Sequence, residues 1–251
     1  MKETHRLMPG AEPYERDGGP LGALVIHGFT GSPGSTRPLA VWLGEQGLSV
    51  IAPRLPGHGT HWEDLAQTQW TDWEAEAVGA LKDLASRCDA VAVIGVSMGG
   101  ALALHLAATH PDEVRCVAVI NPYVRDPRLA LAPVVRLFTR TRKLRTNDIN
   151  KPGQDEVAYD RAPLVTLPSL NQLLKKTEAE LPSVRQPLLV FSSAQDHLVK
   201  RANSELIMRK AGSTEKDLVP LANSFHVATL DHDADLIRTR ILSFARQHAT
   251  L

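Results

Sequence analysis

Five residues, Gly95-Val96-Ser97-Met98-Gly99, limit this chain to few folds, because they place a serine between glycines where a buried strand gives way to a helix. With glycine near its average usage of roughly 7%, a chain this long meets such a pentapeptide by chance about one time in ten, so its surroundings must carry the argument. Upstream, Asp89-Ala-Val-Ala-Val-Ile94 is a β-branched apolar run of the kind that forms a fully buried strand. Downstream, Ala101 to His110 is rich in alanine and leucine at helical spacing. A strand, a sharp turn and a helix in that order lift the serine hydroxyl clear of the backbone. Gly95, Gly99 and Gly100 lack the Cβ atoms that would clash as strand and helix close on each other.

The same alternation runs along the chain. Strands are expected at Leu24–Ile26, Ser49–Ala52, Cys116–Ile120, Pro187–Phe191 and Asp217–Leu221. Helices are expected around Arg37–Gln46, Thr71–Ala85, Leu167–Leu181, Ala202–Ala211 and Ala234–Gln247. Strands alternating with helices predict a mostly parallel sheet covered on both faces, with ligand-binding loops at its carboxyl edge. A length of 251 residues with 43% hydrophobic content suits a single α/β domain, residues 1–251. The stretch from Asn121 to about Ser183 is too long for a simple connection, and is expected to form a cap or lid inserted at about 122–183.

Formal net charge is +0, which argues against nucleic acid as a partner. Cys88 and Cys116, each beside an expected core strand, read as two reduced buried thiols. The first ten residues contain no apolar signal core and no stretch approaches the ~18 apolar residues of a membrane span, so a cytoplasmic protein is expected.

A serine nucleophile needs a base to take its proton and an acid to orient that base. The chain order for this architecture is serine, acid, histidine. Asp196 follows the expected strand ending at Phe191, and His226 lies between the last expected strand and the last helix. Asp126 is the rival acid but sits among arginines. Asp231, Asp233 and Asp235 around His232 read as helix-capping acids rather than metal ligands. His197 is expected to point away from Asp196, His58 and His61 to rim the pocket, and His105 and His110 to serve on the helix surface or in packing. An oxyanion hole would use the backbone N–H of Met98 and one from the loop His27-Gly-Phe-Thr-Gly31, with Phe29 as the second donor. No cofactor and no metal are required.

Taken together, Val25-Ile-His-Gly-Phe-Thr-Gly31, Pro53-Arg-Leu-Pro-Gly-His-Gly-Thr-His61, Gly95-Val-Ser-Met-Gly-Gly100, Asp196-His-Leu-Val199 and Asn223-Ser-Phe-His-Val-Ala-Thr-Leu-Asp231 resemble the α/β-hydrolase superfamily. Pro9-Gly-Ala-Glu-Pro13 extends the likeness to the small bacterial monoacylglycerol lipases and their carboxylesterase relatives. The resemblance implies an α/β-hydrolase fold, a Ser97, Asp196, His226 triad, and oxyanion donors at Phe29 and Met98. It also implies that Glu156 recognises the glycerol hydroxyls of a small-molecule acyl ester, a monoacylglycerol. The alternatives are a carboxylesterase for short or medium acyl esters of other alcohols, and a ligand receptor that keeps the fold without turnover. Epoxide hydrolases and dehalogenases of this fold place an aspartate where Ser97 stands.

One departure from the family lies in the expected cap. Between Arg125 and Arg145 stand seven basic residues, Arg125, Arg128, Arg136, Arg140, Arg142, Lys143 and Arg145, against the single acid Asp126. Val134, Val135, Leu137 and Phe138 would supply an apolar face, a pattern that suits transient contact with anionic membranes or micelles. Co-sedimentation with liposomes is expected to require anionic lipid and to weaken when Arg136, Arg140 and Lys143 are reversed in charge; indifference to both would remove the idea.

Overall fold

The computed structural model describes residues 3–131 and 139–249. Seven strands form one sheet: β1 (Tyr14–Arg16), β2 (Leu21–Ile26), β3 (Ser49–Ala52), β4 (Ala90–Val96), β5 (Cys116–Ile120), β8 (Leu188–Ser193) and β9 (Lys216–Leu221). Their spatial order is β1-β3-β2-β4-β5-β8-β9, parallel throughout except for the antiparallel edge strand β1. Two further short strands, β6 (Thr141–Lys143) and β7 (Arg161–Pro163), pair antiparallel between β5 and β8 in the chain. This is the expected α/β-hydrolase sheet.

Central strands bury both faces, so their sequences are apolar without a break, yet successive side chains still divide by period two. In β4, Val91 and Val93 enter one core while Ile94 and Val96 enter the other. The first core takes the apolar faces of α3 (Trp70–Arg87), α4 (Met98–Thr109), α5 (Leu167–Glu180) and α6 (Ala202–Lys210). The second takes α1 (Arg37–Glu45) and α7 (Ala234–Ala249). A one-turn helix, α2 (Trp62–Leu65), completes the set. Helix α4 is apolar around its circumference except at His105, with every residue from Met98 to Ala107 buried, because it is enclosed between the sheet and α5.

Most strand and helix positions follow the expected ones closely; the β6–β7 pair, the edge strand and one short helix are not among those expected. The edge strand β1 is three residues of mixed polarity, Tyr-Glu-Arg, whose pairing with β3 replaces the hydrophobic signal a central strand would carry. Helix α2 is too short to show a period. Both cysteines are free; Cys116 is buried, and burial pushes its thiol up to about 12, whereas Cys88 is only half-buried. Val134, Val135, Arg136, Leu137 and Phe138, central to the lid expectation, lie outside the described residues. Among the described residues no helix is long and apolar enough to cross a membrane.

The turn from β4 into α4 explains its glycines. A Cβ on Gly95 would lie 2.1 Å from the carbonyl oxygen of Gly99, and one on Gly99 would lie 2.3 Å from the carbonyl oxygen of Ile26 in β2. These are backbone atoms, which cannot step aside. Gly95→Ala is therefore expected to lower stability by about 2 kcal/mol or more. Gly79→Ala, on the open face of α3 with nothing near the new methyl group, should instead raise it by about 1 kcal/mol. Urea unfolding of the two variants checks the pair.

Candidate active site

Ser97 stands at the end of β4 with φ 55° and ψ −117°, a conformation a non-glycine residue holds only where its surroundings impose it. Those surroundings are backbone hydrogen bonds. The Ser97 N–H donates to Ile120 O at 3.0 Å, and its carbonyl accepts from Tyr123 at 3.0 Å and Gly100 at 2.9 Å. The serine is thereby fixed to β5 on one side and to the first turn of α4 on the other.

Asp196 lies in the loop after β8. Its Oδ1 accepts the backbone N–H groups of Leu198 and Val199, both at 2.8 Å, and its Oδ2 accepts the Nδ1–H of His226 at 2.7 Å. With Nδ1 donating, the lone pair of His226 is on Nε2. Burial opposes charge on the His226 ring, but the hydrogen bond and charge of Asp196, with Glu156 and Asp148 behind it, outweigh burial and hold its pKa above the usual value. Ser97 and His226 line one cavity, and among the described residues their side chains are not hydrogen-bonded to each other. Such contacts are often long before substrate arrives.

That cavity is about 400 Å³. Tyr123, Leu129, Leu164, Leu167, Leu170 and Val199 give it an apolar side, while Glu156, Thr30 and His197 give it a polar one. Glu156 is half-buried, and burial pushes its carboxyl up, partly offset by His226. Backbone N–H groups of Phe29 and Met98 have no protein acceptor among the described residues, and Met98 opens α4, whose N-terminal dipole favours negative charge. Gly28 admits this approach, since a Cβ there would press on the Ser97 side chain at 3.3 Å.

A serine elbow, a hydrogen-bonded Asp–His pair and two free N–H groups around one partly apolar cavity suit acyl transfer. The family model for serine aminopeptidase, S33, matches residues 22–233. The chain belongs to this family of α/β-hydrolases. It is 41% identical to the thermostable monoacylglycerol lipase of Bacillus sp. (strain H-257), over 99% of this chain and 100% of that one. The carboxylesterase of Bacillus subtilis (strain 168) is 25% identical over 93% of this chain and 95% of its own. Among solved structures, a metagenome-derived lipolytic enzyme superposes with a TM-score of 0.94 at 40% identity, covering 97% of this chain and 100% of that chain.

Other histidines and acids of this hydrolase are engaged elsewhere. Asp126 accepts from Tyr123 Oη at 2.7 Å and from the Arg128 guanidinium at 2.7–3.0 Å; burial alone would raise its pKa, and these bonds lower it instead. His197 turns to Asp148, with Nδ1 2.8 Å from Oδ1. His58 does not rim the pocket. It is fully buried against His27, Phe29 and Trp73, while His61 caps α2 with an acceptor nitrogen. His105 is buried on α4 between Glu74 of α3 and Glu180 of α5, each at 2.6 Å, and so ties three helices together. His27, lowered to about 4 by burial, is neutral; its Nδ1–H donates to Gly28 O and its Nε2 accepts the N–H of Leu55.

Two residues with no sequence signal position the histidine loop. Asn121, at the end of β5, donates through Nδ2 to Ser193 Oγ and to the carbonyls of Phe225 and His226, and accepts the Ser193 N–H. Asp148 is buried and accepts the His226 N–H at 3.2 Å, while its carbonyl accepts from Val227. A positive φ of 45° at Asn121 is a structural mark, but asparagine after a strand is too common to be read from letters.

For a histidine that serves as base, and so must be neutral to accept a proton, a pKa raised like that of His226 puts the acid limb of kcat/KM above pH 6.5, the ordinary histidine value. Glu156 is one of the charges that raises it. Glu156→Gln is therefore expected to move the limb to lower pH, as read from pH profiles with a soluble nitrophenyl ester.

Proposed function

We propose that the chain is a serine hydrolase that cleaves monoacylglycerols to fatty acid and glycerol, with Ser97 as nucleophile, His226 as base and Asp196 as its orienting acid. The observation that carries the reading is the carboxylate of Glu156 in the same cavity as Ser97 and His226, a cavity also lined by Leu129, Leu164, Leu167 and Leu170. An acyl chain fits the wall of Leu129, Leu164, Leu167 and Leu170, and a polyol headgroup fits a carboxylate acceptor. The likeness to the Bacillus monoacylglycerol lipase along its full length points the same way.

In the reaction, His226 Nε2 takes the Ser97 Oγ proton as the oxygen attacks the ester carbonyl carbon. The carbonyl oxygen becomes an oxyanion held by the N–H groups of Phe29 and Met98, each such donor typically contributing roughly 2.7 to 4 kcal/mol at the transition state. His226 then protonates the departing glycerol oxygen as the C–O bond breaks, leaving an acyl-enzyme. Water, deprotonated by His226, attacks that ester and releases the fatty acid, returning the proton to Ser97.

Residues 122–183 serve in this reading as a cap. They supply Tyr123, Leu129, Glu156 and Leu164 to the cavity. Arg125, Arg128 and Arg145 are paired with Glu178, Asp126 and Asp148, and the exposed Arg140, with Arg142 and Lys143 at the cavity mouth, is the basic surface offered to an anionic lipid aggregate.

Hydrolysis of mono-, di- and triacylglycerols is the direct test. Wild type is expected to prefer monoacylglycerols, Glu156→Ala to lose that preference chiefly through KM, and Ser97→Ala to lose turnover with every ester. Equal rates on all three lipids, or a preference untouched by Glu156→Ala, would favour a carboxylesterase of other alcohols. Turnover independent of Ser97 would remove the nucleophile.

A further inference from the structure

At the same carboxyl edge of the sheet that holds Ser97, the segment after Glu3 lies along the loop and helix that follow β3. Glu3 pairs with Arg54, Met8 N–H donates to Gly59 O at 2.8 Å, and Thr4 donates to Asp64 through both its N–H and its hydroxyl. This docking brings His5 beside His61, ring centroids 4.4 Å apart. Both imidazoles face one carboxylate oxygen. Glu63 Oε2 is 3.3 Å from His5 Nε2 and 3.4 Å from His61 Nδ1.

These contacts are not ordinary hydrogen bonds. His61 Nδ1 lies 3.4 Å from the backbone N–H of Glu63 that it caps at the start of α2, so this nitrogen carries its lone pair. His5 Nδ1 lies 3.2 Å from Oδ2 of the buried Asp64, and donating its N–H there leaves the lone pair on Nε2. Two unprotonated ring nitrogens therefore converge on a carboxylate oxygen. A proton on either ring would relieve this through a short N–H···O bond; a shared cation would do so by taking the His61 lone pair in place of the long capping contact. The spacing suits one. Ligands bound at about 2.0–2.1 Å around tetrahedral zinc stand about 3.3–3.4 Å apart, whereas charge-assisted N–H···O bonds close to about 2.7–2.9 Å. All three ligand atoms lie within 4.8 Å of one another.

We propose that His5 Nε2, His61 Nδ1 and Glu63 form a three-ligand site for a zinc-like divalent cation, with water as the fourth ligand and Asp64 orienting His5 from behind. A carboxylate behind a ligating histidine fixes both its tautomer and its ring plane. Nitrogen and oxygen ligands in this ratio suit Zn²⁺ rather than the all-oxygen shells of Ca²⁺ or Mg²⁺. The ion has a structural task. It joins the chain's first residues to α2, beside the loop whose Gly57 and Thr60 hold Tyr159 Oη at the cavity wall.

Untagged, chelator-treated full-length protein titrated with ZnCl2 by calorimetry is expected to take up one ion per chain, with a Tm rise of about 5–10 °C at 100-fold excess over Kd. His5→Gln and His61→Gln should each abolish the strong uptake and the Tm rise while leaving ester hydrolysis intact. Asp64→Asn should keep the stoichiometry and weaken affinity by about 10–100-fold. CoCl2 should give the intense visible bands of a four-coordinate ion in wild type only. Uptake that is equally strong in both histidine variants, or only the pale spectrum of hydrated Co²⁺ in wild type, means an adventitious ion only and overturns the site.

Discussion

Everything at the carboxyl edge depends on one strained residue. Holding Ser97 at φ 55° costs on the order of 1–3 kcal/mol. Beyond the local bond from Gly100 to the Ser97 carbonyl, the restraint comes from outside the turn, from Ile120 in β5 and Tyr123 beyond it, and from the backbone of β2 pressed against Gly99. Strands β2, β4 and β5 are adjacent in the sheet, so the three pieces of backbone that pin the serine arrive together with the pairing of the central strands. A chain that paired those strands wrongly would lose the elbow as well as the core.

The histidine is held by a different economy. Strain is absent there, and hydrogen bonds from several elements converge instead. Asn121 reaches its loop from β5, Asp196 from beyond β8, Asp148 from the long segment between β5 and β8, and Asp231 closes the loop by accepting the N–H groups of Phe225, Asn150 and Lys151. Each buried carboxylate takes two or more donors, the condition under which a charge is tolerated away from water. The neutral His27 does comparable work on the other flank, joining the Phe29 loop to Leu55.

How much of this could be read from letters follows from the kind of signal each part leaves. Central strands such as Cys116–Ile120 and Ser49–Ala52 are apolar on both faces and stand out between helices of a different period, so they fall where expected. Ser97, Asp196 and His226 stand out through motif and order; the structure places each in a segment after a strand and joins Asp196 to His226 by a hydrogen bond. Asn121 and Asp148 do not stand out, since their value lies in which backbone groups they meet across more than seventy residues of chain. His58 misleads for the opposite reason: a polar letter in a glycine-rich loop suggests the pocket rim, yet it fills an aromatic core. His105, expected on the helix surface or in packing, takes the packing role between two carboxylates.

The bond from the His226 N–H to Asp148 limits how the chain can be recombined. Asp148 belongs to the segment between β5 and β8, yet it also carries backbone support for a histidine that arrives about eighty residues later. That segment cannot be exchanged as a freestanding module. A chimera that imports another relative's sequence over 122–183 would take the Asp148 acceptor from the His226 N–H and leave only the bonds from Asn121 and Asp196, unless an acid is restored at the same place. What lines the cavity and what holds the histidine are thus coupled through one carboxylate.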